Sequence, residues 1–151
     1  MNIYFSCSIT GGRQDQDVYA QIVEALIEDG HEVPTAILSR AEVMEYEAVV
    51  GAEDVYRRDV NWVEQCDAVV AEVSTPSHGV GYEIALALML GKPVLCCYHQ
   101  GRKVSKMILG NTHATLRVAA YHHPDEAVKL VQKFINELQA GLFGNKTLET
   151  N

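Results

Sequence analysis

One α/β domain built on a doubly wound, five-stranded parallel sheet, in the order 2-1-3-4-5, is the fold this sequence predicts. Three observations lead there. Apolar runs of strand length alternate with segments of helical period in a regular βα order. The run from Asp67 to Val73 is almost continuously apolar, as a strand covered on both faces must be. The chain has 151 residues, 48% of them apolar and 21% charged, the composition of a globular domain that can bury its own core.

Residues 2–7 read as the first strand, followed by the loop Ser8-Ile9-Thr10-Gly11-Gly12-Arg13. A helix over 15–29 turns Val18, Ile22, Ala25 and Leu26 inward, with Gly30 placed to stop it. A short second strand is expected at 31–36, then a looser helical stretch at 39–49 ending near Gly51. The helix over 53–65 faces the core with Val55, Trp62 and Val63 and leads into the apolar strand at 67–73. The loop Ser74-Thr75-Pro76-Ser77-His78-Gly79 opens a helix over 80–90, which Gly91-Lys92-Pro93 ends. A fourth strand at 94–98, a loop over 101–110 and a fifth strand at 117–121 follow. The last helix begins at His123-Pro124-Asp125, with proline at its start and acids in its first turn. Residues 1–140 thus form the domain, and the small, polar stretch 141–151 reads as a frayed tail.

Charge limits the partners. The formal net charge is −8 and no cluster of Lys and Arg occurs, so a nucleic-acid polymer is excluded as the ligand. An anionic small molecule would need a strong local site against that field. No apolar run is long enough to span a bilayer, and the chain starts directly as a strand without a leader, so a cytoplasmic protein is expected. Cys7, Cys66, Cys96 and Cys97 form no C-x-x-C pair and read as reduced, buried residues. No metal site or cofactor motif is evident.

In a flavodoxin-like sheet, ligands bind beyond the carboxyl ends of the strands where the strand order reverses. Two glycine- and serine-bearing loops fall there, 8–13 and 74–81. Gly11 and Gly12 allow close approach of backbone to ligand, the next helix start favours an anion, and Arg13 offers a bidentate donor. A plain βα turn with a solvated arginine fits the same residues. Glu83 is either an ordinary acid near a helix start or a crevice carboxylate. Asp59, one turn from Trp62, lies either in solvent or on a partly buried face. Tyr4 alternates away from Ile3 and Phe5, which suits core packing as well as a site.

Three blocks carry a family resemblance: residues 4–13, the stretch Asp59-Val60-Asn61-Trp62, and residues 71–83 ending Gly79-Val80-Gly81-Tyr82-Glu83. Together they resemble the nucleoside 2-deoxyribosyltransferase superfamily, and within it the 2′-deoxynucleoside 5′-phosphate N-hydrolases, over about residues 3–135. The resemblance implies an N-glycosidase that releases the free base and (deoxy)ribose 5-phosphate through a covalent glycosyl-enzyme intermediate. It implies Glu83 as nucleophile, Asp59 as the group assisting departure of the base, and Tyr4 as the residue holding Glu83. It also implies substrate and phosphate contacts from Ser8, Ile9, Gly11, Gly12, Arg13, Ser77, Gly79, Ser105 and Met107. Ser105 would reach the neighbouring site of a homodimer. Where relatives often carry a histidine after the second strand, this chain reads Thr35-Ala36-Ile37. A sugar transferase, a hydrolase of CMP-type ribonucleotides and a non-catalytic nucleotide sensor stay open as alternatives.

Overall fold

The structure is a computed structural model and describes residues 1–9, 14–39 and 49–143. Four strands form one parallel sheet in the spatial order β1-β2-β3-β4. They are β1 Ile3–Ser6, β2 Ala68–Glu72, β3 Val94–His99 and β4 Leu116–Tyr121. Ile3 pairs with Ala68, Val69 with Val94, and Val94 with Leu116, which fixes the register across the sheet. The helices among the described residues are α1 Gln16–Glu28, α2 Ala52–Gln65, α3 His78–Met89, the single turn α4 Lys106–Leu109, and α5 Pro124–Gln139.

The expected five strands in the order 2-1-3-4-5 are therefore corrected to four. Residues 31–36 supply only an isolated parallel bridge, Asn2 to Glu32, at the outer edge of β1, and then a 3-10 turn at Ala36–Ser39. Two residues explain the loss. Pro34 has no amide hydrogen to give a ladder. Thr35 then meets the β1 edge with its side chain, and Phe5 N donates to Thr35 Oγ1 at 2.9 Å where a backbone carbonyl would otherwise sit. The remaining strands keep the neighbours that the sequence predicted. The helical stretch expected at 39–49 lies largely outside the described residues, as does the tail from 144 onward.

Strand alternation divides the core in two. Ile3 and Phe5 of β1 join Val18, Tyr19, Ile22 and Leu26 of α1 and Val131, Phe134 and Ile135 of α5. Tyr4 faces the opposite layer with Val63 of α2 and Val80, Ile84, Ala87 and Leu88 of α3. Both faces of the sheet are thus covered, the condition under which parallel strands read as unbroken apolar runs. Each fully buried Ile, Leu or Phe stabilises the fold by about 1.5–3 kcal/mol through area removed from water. The four cysteines are all buried, and burial alone pushes the Cys96 thiol up to about 12, leaving it unreactive at neutral pH.

Helix ends set the loops that matter for function. Gly30 and Gly91 take φ of +81° and +70°, the left-handed conformation that stops α1 and α3. The start of α3 falls at His78 rather than at residue 80 because Ser77 caps it, its hydroxyl accepting from Val80 N at 3.5 Å.

Candidate active site

Glu83 stands one turn into α3, and its carboxylate is turned back toward the sheet rather than out to solvent. The Ser6 hydroxyl, at the C-terminal end of β1, donates to Glu83 Oε2 in a short hydrogen bond. Tyr4, two residues earlier on the same face of β1, is fully buried with its hydroxyl beside the same carboxyl. It feels that charge without closing a hydrogen bond of good geometry. Gly79 lies against the group: a Cβ there would be in ordinary contact with Glu83 Oε1, at 3.8 Å, and with Ser77 Oγ, at 3.9 Å. One strand and one helix start therefore fix the carboxyl from three sides.

Asp59 comes to this carboxyl from α2. It lines a cavity of about 240 Å³ together with Glu83, Gly79, Tyr56 and Tyr82. Arg58 Nε donates to Asp59 Oδ1 at 2.8 Å, and its guanidinium lies 5.0 Å from the centre of the Trp62 ring. Both side chains of that pair are only 17% exposed, so the contact is shielded enough to orient Asp59. Tyr56 and Tyr82 meet edge to face, 6.2 Å between ring centres, at the rim of the same cavity.

The electrostatics follow from burial. Burial pushes the Glu83 pKa up, the Ser6 hydrogen bond opposes that rise, and the neighbouring Asp59 charge adds to it. Tyr4 and Arg58 pull in the opposite direction. Burial, then the charges of Glu83 and Asp59, lift the Tyr4 phenol far above its ordinary value, so it remains a proton-bearing donor. Because the Glu83 pKa is higher folded than unfolded, the folded protein holds a proton there that the unfolded chain releases. Stability tied to the neutral carboxyl is complete below the ordinary glutamate range and is lost as pH rises through the raised value. A Glu83→Gln protein, which keeps an acceptor for Ser6, is accordingly expected to melt a few degrees above wild type at pH 7–8. The two melting curves should converge under acid; equal Tm values throughout would contradict the assignment.

A profile of the family described as nucleoside 2-deoxyribosyltransferase matches residues 3–140. The chain belongs to this family. A rat protein named 5-hydroxymethyl-dUMP N-hydrolase is 46% identical over 113 residues, covering 72% of this chain and 69% of its own. A Methanosarcina mazei protein, provisionally named 2′-deoxynucleoside 5′-phosphate N-hydrolase 1, is 38% identical over 137 residues, 91% of this chain and 85% of the relative. Among solved structures, the CMP N-glycosidase of Clostridium botulinum superposes with a TM-score of 0.67 at 18% identity, over 88% of this chain and 99% of that one. The last of these shows the shared fold.

Within this deoxyribosyltransferase-family fold, the residues singled out from sequence divide into four groups. Tyr4, Asp59, Glu83 and Gly79 converge. Ser77, Ser105 and Met107 instead border a larger, mostly apolar groove with His78, Val104 and Ile108, of which Glu83 is not a lining residue. Ser105 Oγ accepts from Met107 N at 3.2 Å at the start of α4, and the Met107 side chain is 83% exposed. Ser8 is fully buried, and its hydroxyl has no hydrogen-bond partner among the described residues. Ile9 packs part-buried against the α1–α5 core. Gly11, Gly12 and Arg13 lie outside the described residues.

Two residues in the site were missed from sequence. Ser6 is the nearest donor to Glu83, and the available signal was a serine inside an apolar strand at the same parity as Tyr4. Arg58 was passed over because an arginine on a polar helix is ordinarily solvated.

Proposed function

We propose that this protein hydrolyses the N-glycosidic bond of 2′-deoxynucleoside 5′-monophosphates, giving free base and deoxyribose 5-phosphate. The observation that carries this is Glu83 and Asp59 facing one small cavity while two β1 hydroxyls bear on Glu83. The names of the relatives support the substrate class, and the geometry supports the chemistry.

Glu83 attacks C1′ as the C1′–N bond breaks, and the electron pair of that bond leaves with the base. Asp59 assists by protonating the base or hydrogen-bonding to it, which lowers the charge it must carry away. The positive character that builds at the sugar ring offsets the desolvation of the buried Glu83 carboxylate. Ser6 and Tyr4 hold the carboxylate on the attack line and solvate it in place of water. Water then attacks C1′ of the glycosyl-Glu83 ester and passes its proton to the Asp59 carboxylate left by protonation of the base, which restores both acids while the sugar phosphate departs.

The phosphate falls to the turn after β1 and the loop before α3. The buried, unsatisfied Ser8 hydroxyl supports this, since a polar group in that position costs free energy unless something accepts or donates. Gly11, Gly12, Arg13 and Ser77 complete the anion site in this reading. The chain acts as a homodimer in which Ser105 and Met107 complete the neighbour's site. Helix α3 supports the pairing, because it is apolar on its outer side too: Tyr82 and Met89 are 53% and 87% exposed, on the flank opposite the core residues Val80, Ile84 and Ala87.

The test is a panel of 2′-deoxynucleoside 5′-monophosphates, including 5-hydroxymethyl-dUMP, beside their ribo- and unphosphorylated counterparts, with release of free base followed by chromatography. Release is expected from the phosphorylated deoxynucleotides and much less from the unphosphorylated ones. Release no faster than from a Glu83→Ala control removes the hydrolase, and transfer of the sugar to an added base converts it into a transferase.

A further inference from the structure

The acid at the start of α1 does not cap its helix. Asp15 occupies the N-cap position, where an aspartate ordinarily accepts from the amides of the first turn, yet its side chain makes no capping hydrogen bond. Its two carboxylate oxygens are committed to two other loops. Oδ2 accepts from Thr75 Oγ1 at 3.1 Å, in the connection between β2 and α3. Oδ1 accepts from the Arg102 guanidinium at 3.1 Å, in the connection between β3 and α4. The other terminal nitrogen of Arg102 donates to Gln14 Oε1, also at 3.1 Å, so the guanidinium forks over the entry to α1. Asp15 is 8% exposed and Arg102 lies at the rim, so the carboxylate end of the pair is buried while the guanidinium reaches solvent.

We propose that Asp15 is a positioning residue that ties the start of α1 to two loops assigned ligand contacts, the one carrying Ser77 and the one carrying Ser105. This rests on the proposed function, which assigns ligand contacts to each of those loops. Asp15 lies two residues after Arg13, Thr75 lies two residues before Ser77, and Arg102 lies three before Ser105. The contacts join segments 60 and 87 residues apart in the chain. None of the partners, Thr75, Arg102 or Gln14, belongs to the Glu83 cluster. Asp15 therefore controls how well the loops are preorganised for binding and leaves the reacting carboxylates alone. A helix cap would steady one element; a shared carboxylate steadies three at once.

Steady-state kinetics with the best 2′-deoxynucleoside 5′-monophosphate of the panel, on wild type, Asp15→Ala, Asp15→Asn and Arg102→Lys, separate these roles. In Asp15→Ala, KM should rise about tenfold or more, the size of a lost charge-assisted hydrogen bond, while kcat changes little. Arg102→Lys keeps the charge without the fork and should fall between. Hydrogen exchange on the unliganded proteins provides the readout that needs no substrate. In Asp15→Ala, amides of 74–79 and of 100–106 should exchange faster together, with the strand amides unchanged. Unchanged KM, a fall in kcat alone, or faster exchange confined to α1 overturns the tether. Turnover absent from wild type would instead refute the proposed function, and the exchange data would still decide whether Asp15 ties the loops.

Discussion

A Glu83→Ala protein is expected to lose turnover by a factor on the order of 10⁴–10⁶, the range seen when a covalent nucleophile is deleted from an intact site. Nucleotide binding should survive, because the proposed function assigns the phosphate to groups other than the missing carboxyl. The fold should survive as well: the carboxyl is a burial cost that Ser6 offsets only in part. Single-turnover release of free base measures the loss, and mass spectrometry of acid-quenched wild-type enzyme should show a sugar phosphate attached to the peptide containing Glu83. A Glu83→Ala protein that retains more than about a hundredth of wild-type kcat would sink the nucleophile, since that much activity is within reach of general acid catalysis alone.

The second large effect is expected at Asp59. Replacing it by Asn keeps an acceptor for Arg58 Nε but removes a group able to deliver a proton or oppose charge on the base. The loss in kcat should be about 10²–10³, the usual contribution of a positioned acid. It should also depend on the substrate. A base that carries its own negative charge well needs less help, so Asp59→Asn should hydrolyse 5-fluoro-dUMP with a visibly smaller penalty than dUMP. Equal penalties on both substrates would place Asp59 in binding or orientation and take it out of leaving-group departure.

The parts of this molecule legible in the sequence are those set by local pattern. The period-two run Ile3-Tyr4-Phe5 gave β1 and sent Tyr4 to the face opposite its neighbours, where the structure has it. The apolar run into Glu72 gave the central strand, and the glycine loop after it led to Glu83 in its helix. What could not be read depends on contacts across the fold. The second strand looked acceptable as a run of residues, but a Thr35 hydroxyl taking the Phe5 amide is a tertiary substitution with no local mark. The Ser6 contact joins residues 77 apart in the chain and becomes visible only once β1 and α3 are placed together. Ser105 was named by resemblance alone. Its own chain sets it in a different groove from Glu83.

The same strand that seats the core also aims the chemistry. Tyr4 and Ser6 look toward Glu83 only because Ile3 and Phe5 look away from it. A one-residue slip of β1 against β2 would exchange the two sets, putting hydroxyls into oil and apolar carbons against an anion. Foldedness and turnover thus hang on one register, and an engineer seeking a new sugar specificity should leave it alone and work on the loops.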